Sequence, residues 1–316
     1  MTPYNDHKDI PGNPSTAKTS KKTLNKRLNE EPLRCLTEEQ WDFWIYNGYV
    51  VIKNVISKEQ ADKTASFLWE FEEKNPINKD SWYTPPRAEM KMKELAGTGM
   101  VEVYNHQLLW ENRQNQKIYD AFVDIWGSEK LWVSIDRANL NFPLRPGFEY
   151  KGFIHWDYDP KTKPQNVQGV LALSDQMDQN MGGFQCIPWL YRNFDQWIKT
   201  QKNDHDPFIP DVTGLEDKIV KVGLEAGDLL IFNSLEPHGI RPNISEDKVR
   251  IAQYISMMPS QEENIDLRNW RINSWKNRIA PEGYAFPGDP RNLEKLKYKT
   301  ADLSLLGEKL LGLKAW

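Results

Sequence analysis

Cysteine is scarce in this sequence: 316 residues contain only Cys35 and Cys186. Two cysteines so far apart form neither a CxxC metal cluster nor the dense disulfide framework of small secreted domains. The zinc-finger and disulfide-rich classes are therefore excluded. The two thiols are expected to be free, in a reducing compartment.

Long apolar runs and an excess of basic charge are also missing. No apolar stretch approaches the ~20 residues that a membrane helix needs, and the N-terminus lacks the apolar region of a secretory signal. The net charge is −4, whereas general nucleic-acid binders carry a basic stripe for phosphates. The composition predicts a cytoplasmic protein that binds neither membranes nor nucleic acids.

The chain does have enough apolar residues for a large core, with 39% hydrophobic residues and 13 tryptophans. Residues 1–33 are polar and predict a flexible arm, with a short helix near 23–31. Residues 34–316 are expected to form one domain, although the length alone would allow two. Within it we expect a helical part over 36–127, a β-rich core over about 130–259 and an extension over 260–316.

The start of the domain carries clear helix signals. Thr37 is a plausible N-cap with Gln40 as its capping-box partner, and Gly48 is placed to end the helix. A β-rich run begins at Tyr49, and Ser57 is placed to begin a second helix that extends to about residue 73. A further helix is predicted over 116–126.

The stretch over 131–142, LWVSIDRANLNF, alternates as a strand does. Arg137, Asn139 and Asn141 share one face of that strand. This polar face lies either inside a barrel, where a bound ligand would compensate its burial, or against solvent. Both placements stay open, and Asn141 is the best ligand contact if the face lies inside.

The most informative stretch is KGFIHWDYDP, over residues 151–160. On a strand, His155 and Asp157 project to the same face. With a distant histidine they would complete the 2-His-1-carboxylate triad that holds Fe(II) and leaves open positions. His238, in GDLLIFNSLEPHGIRPN, is the candidate third ligand, and Asp159 is a poorer carboxylate partner.

The other three histidines are assigned no metal. His7 lies in the polar arm and His205 in a turn-like KNDHDP segment, so both are expected to be solvated. His106 is expected to be a hydrogen-bonded structural residue rather than a substrate contact.

The order of these features resembles the phytanoyl-CoA dioxygenase-like family of Fe(II)- and 2-oxoglutarate-dependent oxygenases. The resemblance rests on LTEEQ at 36–40, NGYVVIKNV at 47–55, the HWD triplet, a Gly-Gly turn, GDLLIF, the HG-x-x-PN stretch and an arginine on the next strand. It implies a mainly β fold with flanking helices, built on a double-stranded β-helix (a jelly roll). One departure is that Trp189-Leu190 follows Pro188 where the family has Gly-Ser-His.

The resemblance also implies roles for individual residues. Fe(II) would be held by His155, Asp157 and His238, and 2-oxoglutarate would chelate the iron. Arg250, on the strand predicted over 248–257, would pair with the distal carboxylate of 2-oxoglutarate, because a guanidinium matches a carboxylate bidentately. Arg241 is the rival, but it is expected to lie exposed in a turn. The remaining candidates are Asn141 and Gln168 as cofactor contacts and Arg137, Asn139 and Trp156 as substrate contacts.

The implied reaction uses O2 to decarboxylate 2-oxoglutarate and to hydroxylate an unactivated C–H bond of a small molecule. Related halogenases have Gly or Ala in place of the carboxylate ligand, so Asp157 favours hydroxylation, with desaturation or ring closure as variants. Two other classes stay open: a jelly-roll binding protein, and a zinc hydrolase that uses the same three side chains. The chain is expected to act as a monomer or homodimer, and the leucines over 303–313 predict a last helix packed on the body or on a second subunit.

Overall fold

The computed structural model describes residue 24 and residues 31–84, 99–145, 147–163, 165–201, 205–281 and 286–316. The arm expected over 1–33 and its short helix therefore lie mostly outside the described residues. Leu24 is an exception, since it is fully buried and its carbonyl accepts a hydrogen bond from the Trp44 indole at 2.9 Å.

The first helices begin and end where the sequence predicts. Helix α1 (Glu38–Asn47) begins at Thr37 with a complete capping box and ends at Gly48, whose φ of 73° is left-handed. Strand β1 (Tyr49–Ile52) follows directly. Helix α2 (Lys58–Phe71) begins with the Ser57 side chain accepting from the backbone N–H of Gln60. Local capping chemistry therefore specifies this part of the chain.

Seven more helices are described, and they flank the strands. They are α3 (Lys79–Tyr83), α4 (Gln107–Arg113), α5 (Gln116–Trp126), α6 (Pro188–Trp197), α7 (Ile265–Asn277), α8 (Leu293–Lys297) and α9 (Leu305–Leu311). Helix α5 confirms the prediction over 116–126. No helix of the described chain has the length and apolar character to cross a membrane.

The strands after β1 form antiparallel sheets. They are β2 (Met100–Val101), β3 (Leu131–Val133), β4 (Ala138–Asn141), β5 (Val167–Ala172), β6 (Met181–Cys186), β7 (Val220–Lys221), β8 (Leu229–Asn233), β9 (His238–Asn243), β10 (Arg250–Tyr254) and β11 (Met257–Pro259). The larger sheet has the order β1-β8-β5-β10-β4-β2, and the smaller ones are β7-β6-β9 and β11-β3. The predicted double-stranded β-helix with flanking helices is confirmed.

Two segments that are each predicted as one strand are wrong in this respect, because each forms two strands in the structure. The stretch over 131–142 divides into β3, which pairs with β11, and β4, which pairs with β10. The stretch over 248–257 divides between β10 and β11 in the same way. Alternation in the sequence shows that a segment is extended, but it does not show where the chain leaves one sheet and joins another.

An apolar layer lies between the larger sheet and the β7-β6-β9 sheet. It includes Val170, Phe184, Leu230, Phe232 and Ala252. Residues that oppose each other on paired strands share a face. The face of β4 that lies opposite this layer on β10 is therefore on the inside of the barrel.

The register of β4 decides where its polar residues lie. Asn139 stands opposite Ala252 of the apolar layer, and Asn141 stands opposite Arg250. Asn139 is 2% exposed. Asn139 and Asn141 thus face the barrel interior rather than solvent.

The extension over 260–316 packs on the body of the same chain. The buried Arg271 donates to the carbonyls of Val133 at 2.6 Å, Leu310 at 3.0 Å and Leu311 at 3.0 Å. The Trp316 indole donates to the Leu131 carbonyl at 2.9 Å. These bonds tie α7 and α9 to β3, so the last helix has an intramolecular packing partner.

Candidate metal centre

Two histidines from distant parts of the chain meet through the backbone. The N–H of His155 donates to the His238 carbonyl at 2.8 Å, and the N–H of His238 donates to the His155 carbonyl at 2.9 Å. Their ring centroids lie 4.7 Å apart. Strand β9 thus begins at the point where His155 pairs with it, which places both imidazoles on the same side.

Asp157 completes the cluster. Its Oδ1 lies 3.3 Å from Nε2 of His155, and its Oδ2 lies 3.5 Å from Nε2 of His238. One ligand atom from each of the three residues falls within 4.8 Å of the others. Two imidazoles and one carboxylate are the donor set of the non-haem Fe(II) facial triad. The residues present therefore fit iron.

The protonation states suit metal ligands. Burial favours a higher pKa for Asp157, but its hydrogen bond with His155, the charges of His238 and His155 and a hydrogen bond with Gln168 outweigh burial and hold the pKa below its usual range. Burial, together with the nearby His155, lowers the pKa of His238 to about 4. At neutral pH the carboxylate is ionised and His238 is neutral, which are the forms that bind a metal.

The orientation of His238 is set by the chain just before it. Its Nδ1 lies 3.0 Å from the Glu236 carbonyl. An Nδ1–H that donates to this carbonyl leaves Nε2 without a proton, directed at the Asp157 side of the cluster. Such a partner behind a ligating histidine fixes its tautomer and ring angle.

Gln168, predicted as a cofactor contact, lies on β5 and donates through Nε2 to Oδ2 of Asp157. The structure thus places this amide on the carboxylate ligand. The Gln168 amide holds Oδ2 of Asp157 while Oδ1 faces His155, so this contact selects one orientation of the Asp157 carboxylate.

Replacing Gln168 by leucine is expected to weaken divalent-metal binding about tenfold, because Asp157 loses the donor that orients it. Competition with a fluorescent chelator measures the affinity for Fe(II) or Co(II) directly. Thermal unfolding of the same variant controls for a general loss of stability. Unchanged metal affinity would contradict the positioning role.

Arg250 is a fully buried cation that forms no ion pair within the described part of the chain. Its Nε donates to Oε1 of Gln176 at 3.0 Å, and Nη1 donates to Oδ1 of Asn139 at 3.1 Å. Its Nη2 is buried and has no hydrogen-bond partner, and no carboxylate of the described chain pairs with it. A buried unpaired charge is costly. This guanidinium therefore fits an anionic ligand such as a carboxylate.

The expected exposure of Arg241 is wrong. This residue lies on β9 and is 3% exposed. Its guanidinium donates to the carbonyls of Phe184 at 2.7 Å and Gly182 at 2.5 Å. Gly and Pro make the HGIRPN segment resemble a turn, but pairing with β6 makes it a strand.

The remaining predicted contacts have different surroundings. Asn139 and Asn141 lie beside Arg250 on the interior face, and Oδ1 of Asn141 is buried without a hydrogen bond. Arg137 instead forms a buried ion pair with Glu102 at 2.8 Å. The Trp156 indole donates to the Leu235 carbonyl at 3.0 Å, inside a separate apolar cluster. Arg137 and Trp156 thus already have protein partners.

Sequence reasoning missed residues around the triad. Phe153 is 50% exposed and its ring centroid lies 4.7 Å from that of His155. Its position two residues before His155 on an extended segment was the available signal. His106, by contrast, is structural as expected, since its Nδ1 accepts from the N–H of Leu108 at 3.3 Å and its ring stacks on Phe67.

The amino-acid sequence is similar to that of known proteins. The family model described as phytanoyl-CoA dioxygenase matches residues 45–252. The Ava biosynthesis cluster protein O of Aspergillus versicolor is 26% identical over 235 residues, which cover 68% of this chain and 75% of that protein. A Dictyostelium discoideum protein named for phytanoyl-CoA dioxygenase is 23% identical over 283 residues, covering 76% of this chain and 80% of that protein.

Solved structures are similar in fold. A hypothetical protein of Escherichia coli aligns with a TM-score of 0.64 and 18% identity, covering 88% of this chain and 81% of that chain. The GlcNAc-inducible gene 2 protein of Candida albicans aligns with a TM-score of 0.63 and 14% identity, covering 89% and 77%. At these identities the likeness shows a shared fold.

Proposed function

Since this chain belongs to the phytanoyl-CoA dioxygenase family and is an Fe(II)- and 2-oxoglutarate-dependent oxygenase, we propose that it hydroxylates an unactivated C–H bond of a small-molecule metabolite. The observation that carries the proposal is the joint presence of the His155, Asp157 and His238 cluster and the unpaired guanidinium of Arg250. A metal site and a buried cation inside one barrel suit a metal-chelating dicarboxylate.

The chain's own residues have separate tasks in this proposal. His155, Asp157 and His238 would hold the iron, and Arg250 would bind the distal carboxylate of 2-oxoglutarate. When bound, iron supplies the activation of O2 that is coupled to decarboxylation of 2-oxoglutarate. His155 and His238 sit on paired backbone, which would hold these two ligands in a fixed position relative to the cosubstrate.

Asn139 and Asn141 support the cosubstrate site. Asn139 accepts from Nη1 of Arg250 and so fixes the guanidinium, and Asn141 stands opposite Arg250 with an unpaired side-chain oxygen. Both amides are placed to adjust to a bound carboxylate. We also propose Arg137 and Trp156 as substrate contacts. In the structure Arg137 pairs with Glu102, and the Trp156 indole donates to the Leu235 carbonyl.

Asp157 favours hydroxylation over halogenation. In halogenases a missing carboxylate leaves a coordination position for halide, whereas Asp157 lies within 3.5 Å of both histidines and is held by Gln168. The substrate is expected to be a small molecule in the cytoplasm, and the protein to act as a monomer or homodimer without nucleic acid.

The test starts with anaerobic titration of the Fe(II)-loaded protein with 2-oxoglutarate. We expect the weak visible charge-transfer band of the chelate to appear. Exposure of this complex to ¹⁸O2 with a metabolite extract should then put one labelled oxygen in succinate and one in a hydroxylated product.

Other outcomes separate the alternatives. A product that has lost hydrogen and gained no label would replace hydroxylation by desaturation or ring closure. A protein that binds Fe(II) without giving the band, and that turns over with zinc in the absence of O2 and 2-oxoglutarate, would be a hydrolase. Metal binding without any turnover would indicate a binding protein.

A further inference from the structure

A second guanidinium borders the same interior space as Arg250. A Cβ built on Gly183 would lie 2.8 Å from Nη2 of Arg241 and 3.8 Å from Oε1 of Gln176. That same Oε1 accepts from Nε of Arg250 at 3.0 Å. The position that a side chain at 183 would fill is therefore flanked by Arg241 on one side and by the Gln176–Arg250 pair on the other.

The two glycines of β6 allow Asn141 and Arg241 to lie close to this strand. Gly182 and Gly183 have φ values of 82° and 108°, in the region that side chains rarely adopt. A Cβ on Gly182 would lie 2.8 Å from Oδ1 of Asn141. Any other residue at these positions would meet Asn141 or Arg241, so the Gly-Gly pair is matched to the polar groups around it.

Both guanidinia retain unpaired donors. Nη2 of Arg250 and Nε of Arg241 are buried and have no hydrogen-bond partner among the described residues. Within the described ranges neither arginine forms an ion pair with a carboxylate, and burial together with the charge of Arg250 lowers the pKa of Arg241 to about 10. Two buried positive charges repel each other and are costly without an anion.

Arg241 is also held rigidly. Its Nη1 and Nη2 donate to the carbonyls of Phe184 and Gly182, which belong to the paired strand β6. A guanidinium fixed in this way loses little side-chain entropy when an anion binds. Its Nε is buried and donates to no partner in the described chain, so it is free to donate to a ligand.

We propose that Arg241 is a second binding residue for the distal carboxylate of 2-oxoglutarate, acting together with Arg250 across the space above Gly183. The inference rests on the proposed cosubstrate site. It makes the pocket selective for a 2-oxo acid with a second carboxylate, because a monocarboxylic 2-oxo acid would leave both charges uncompensated.

The experiment compares two ligands that differ at the distal end. Anaerobic titration of the Fe(II)-loaded protein gives dissociation constants for 2-oxoglutarate and for 2-oxovalerate, a 2-oxo acid of the same chain length without the distal carboxylate. Arg241→Met is expected to weaken 2-oxoglutarate binding roughly tenfold or more and to leave 2-oxovalerate binding unchanged. A purely structural role would weaken both ligands equally and would overturn the proposal.

Two further variants complete the comparison. Arg241→Lys keeps the charge, and its affinity for 2-oxoglutarate is expected to lie between those of the wild type and Arg241→Met. This variant decides the question if Arg241→Met does not fold. A lysine variant with wild-type affinity for 2-oxoglutarate and wild-type preference over 2-oxovalerate would contradict a role of the fixed guanidinium. Arg145→Met, at an exposed arginine bonded to the Tyr83 carbonyl, should change neither constant.

The outcomes for the proposed function differ from those for Arg241. If the wild type gives no band with 2-oxoglutarate, the cosubstrate site itself is wrong. If the wild type gives the band and Arg241→Met keeps the wild-type affinity for 2-oxoglutarate, the cosubstrate site stands and the role of Arg241 is refuted.

Discussion

Replacing Asp157 by alanine is expected to reduce Fe(II) affinity at least about 100-fold. Mutation of a residue that only orients a metal ligand already reduces metal affinity about 10- to 100-fold. The variant loses the one anionic ligand of the cluster, and Nε2 of Gln168 loses its acceptor. Hydroxylation should disappear with the metal. Chelator competition measures the affinity, and labelled-oxygen incorporation measures the reaction.

Asp159→Ala is the matched control for Asp157→Ala. Asp159 lies two residues further on, and its Oδ1 accepts from the N–H of Lys161 at the start of a short 3-10 helix over 160–162. This variant should keep wild-type metal affinity. If Asp159→Ala lost the metal and Asp157→Ala kept it, the ligand assignment would be reversed.

Replacing Arg250 by methionine is expected to weaken 2-oxoglutarate binding about 100-fold while metal affinity stays as in the wild type. The buried guanidinium offers charge-assisted hydrogen bonds to a carboxylate, and two such bonds are worth about 3 kcal/mol or more together. The charge-transfer band reports cosubstrate binding, and chelator competition reports metal binding in the same preparation.

The split between these two readouts is what makes the Arg250 experiment specific. A variant that lost metal and cosubstrate together would indicate a damaged barrel rather than a lost contact. A variant that bound 2-oxoglutarate as tightly as the wild type would remove Arg250 from the cosubstrate site, and Arg241 would then be the one buried guanidinium left beside that space in the described chain.

Local sequence codes were sufficient for the helices near the N-terminus. Thr37, Gln40, Gly48 and Ser57 act within one helical turn of the backbone groups they satisfy, so their roles can be read without knowing the fold. The same holds for α5, whose apolar spacing and terminal Gly127 are local features.

The three residues proposed as metal ligands could also be named from the sequence and the resemblance. The period of an extended segment predicts His155 and Asp157 on one face, whereas the structure has an isolated bridge at His155 and a bend at Asp157, so their approach also depends on the tertiary fold. Few histidines were left to supply the third ligand, and the family resemblance pointed to His238. The tertiary structure then brings His238 to His155 through two backbone hydrogen bonds.

Only the tertiary structure decided which side chains that are distant in sequence contact each other. The sequence by itself determined the limits of the first helices, and together with the family resemblance it proposed the triad and an arginine on the strand after His238. It did not determine that Arg241 is buried against β6, that Gln168 holds Asp157, or that Arg137 pairs with Glu102. Each of these depends on strand register and on closure of the barrel, and a register places a side chain inside or outside only once its partner strand is known.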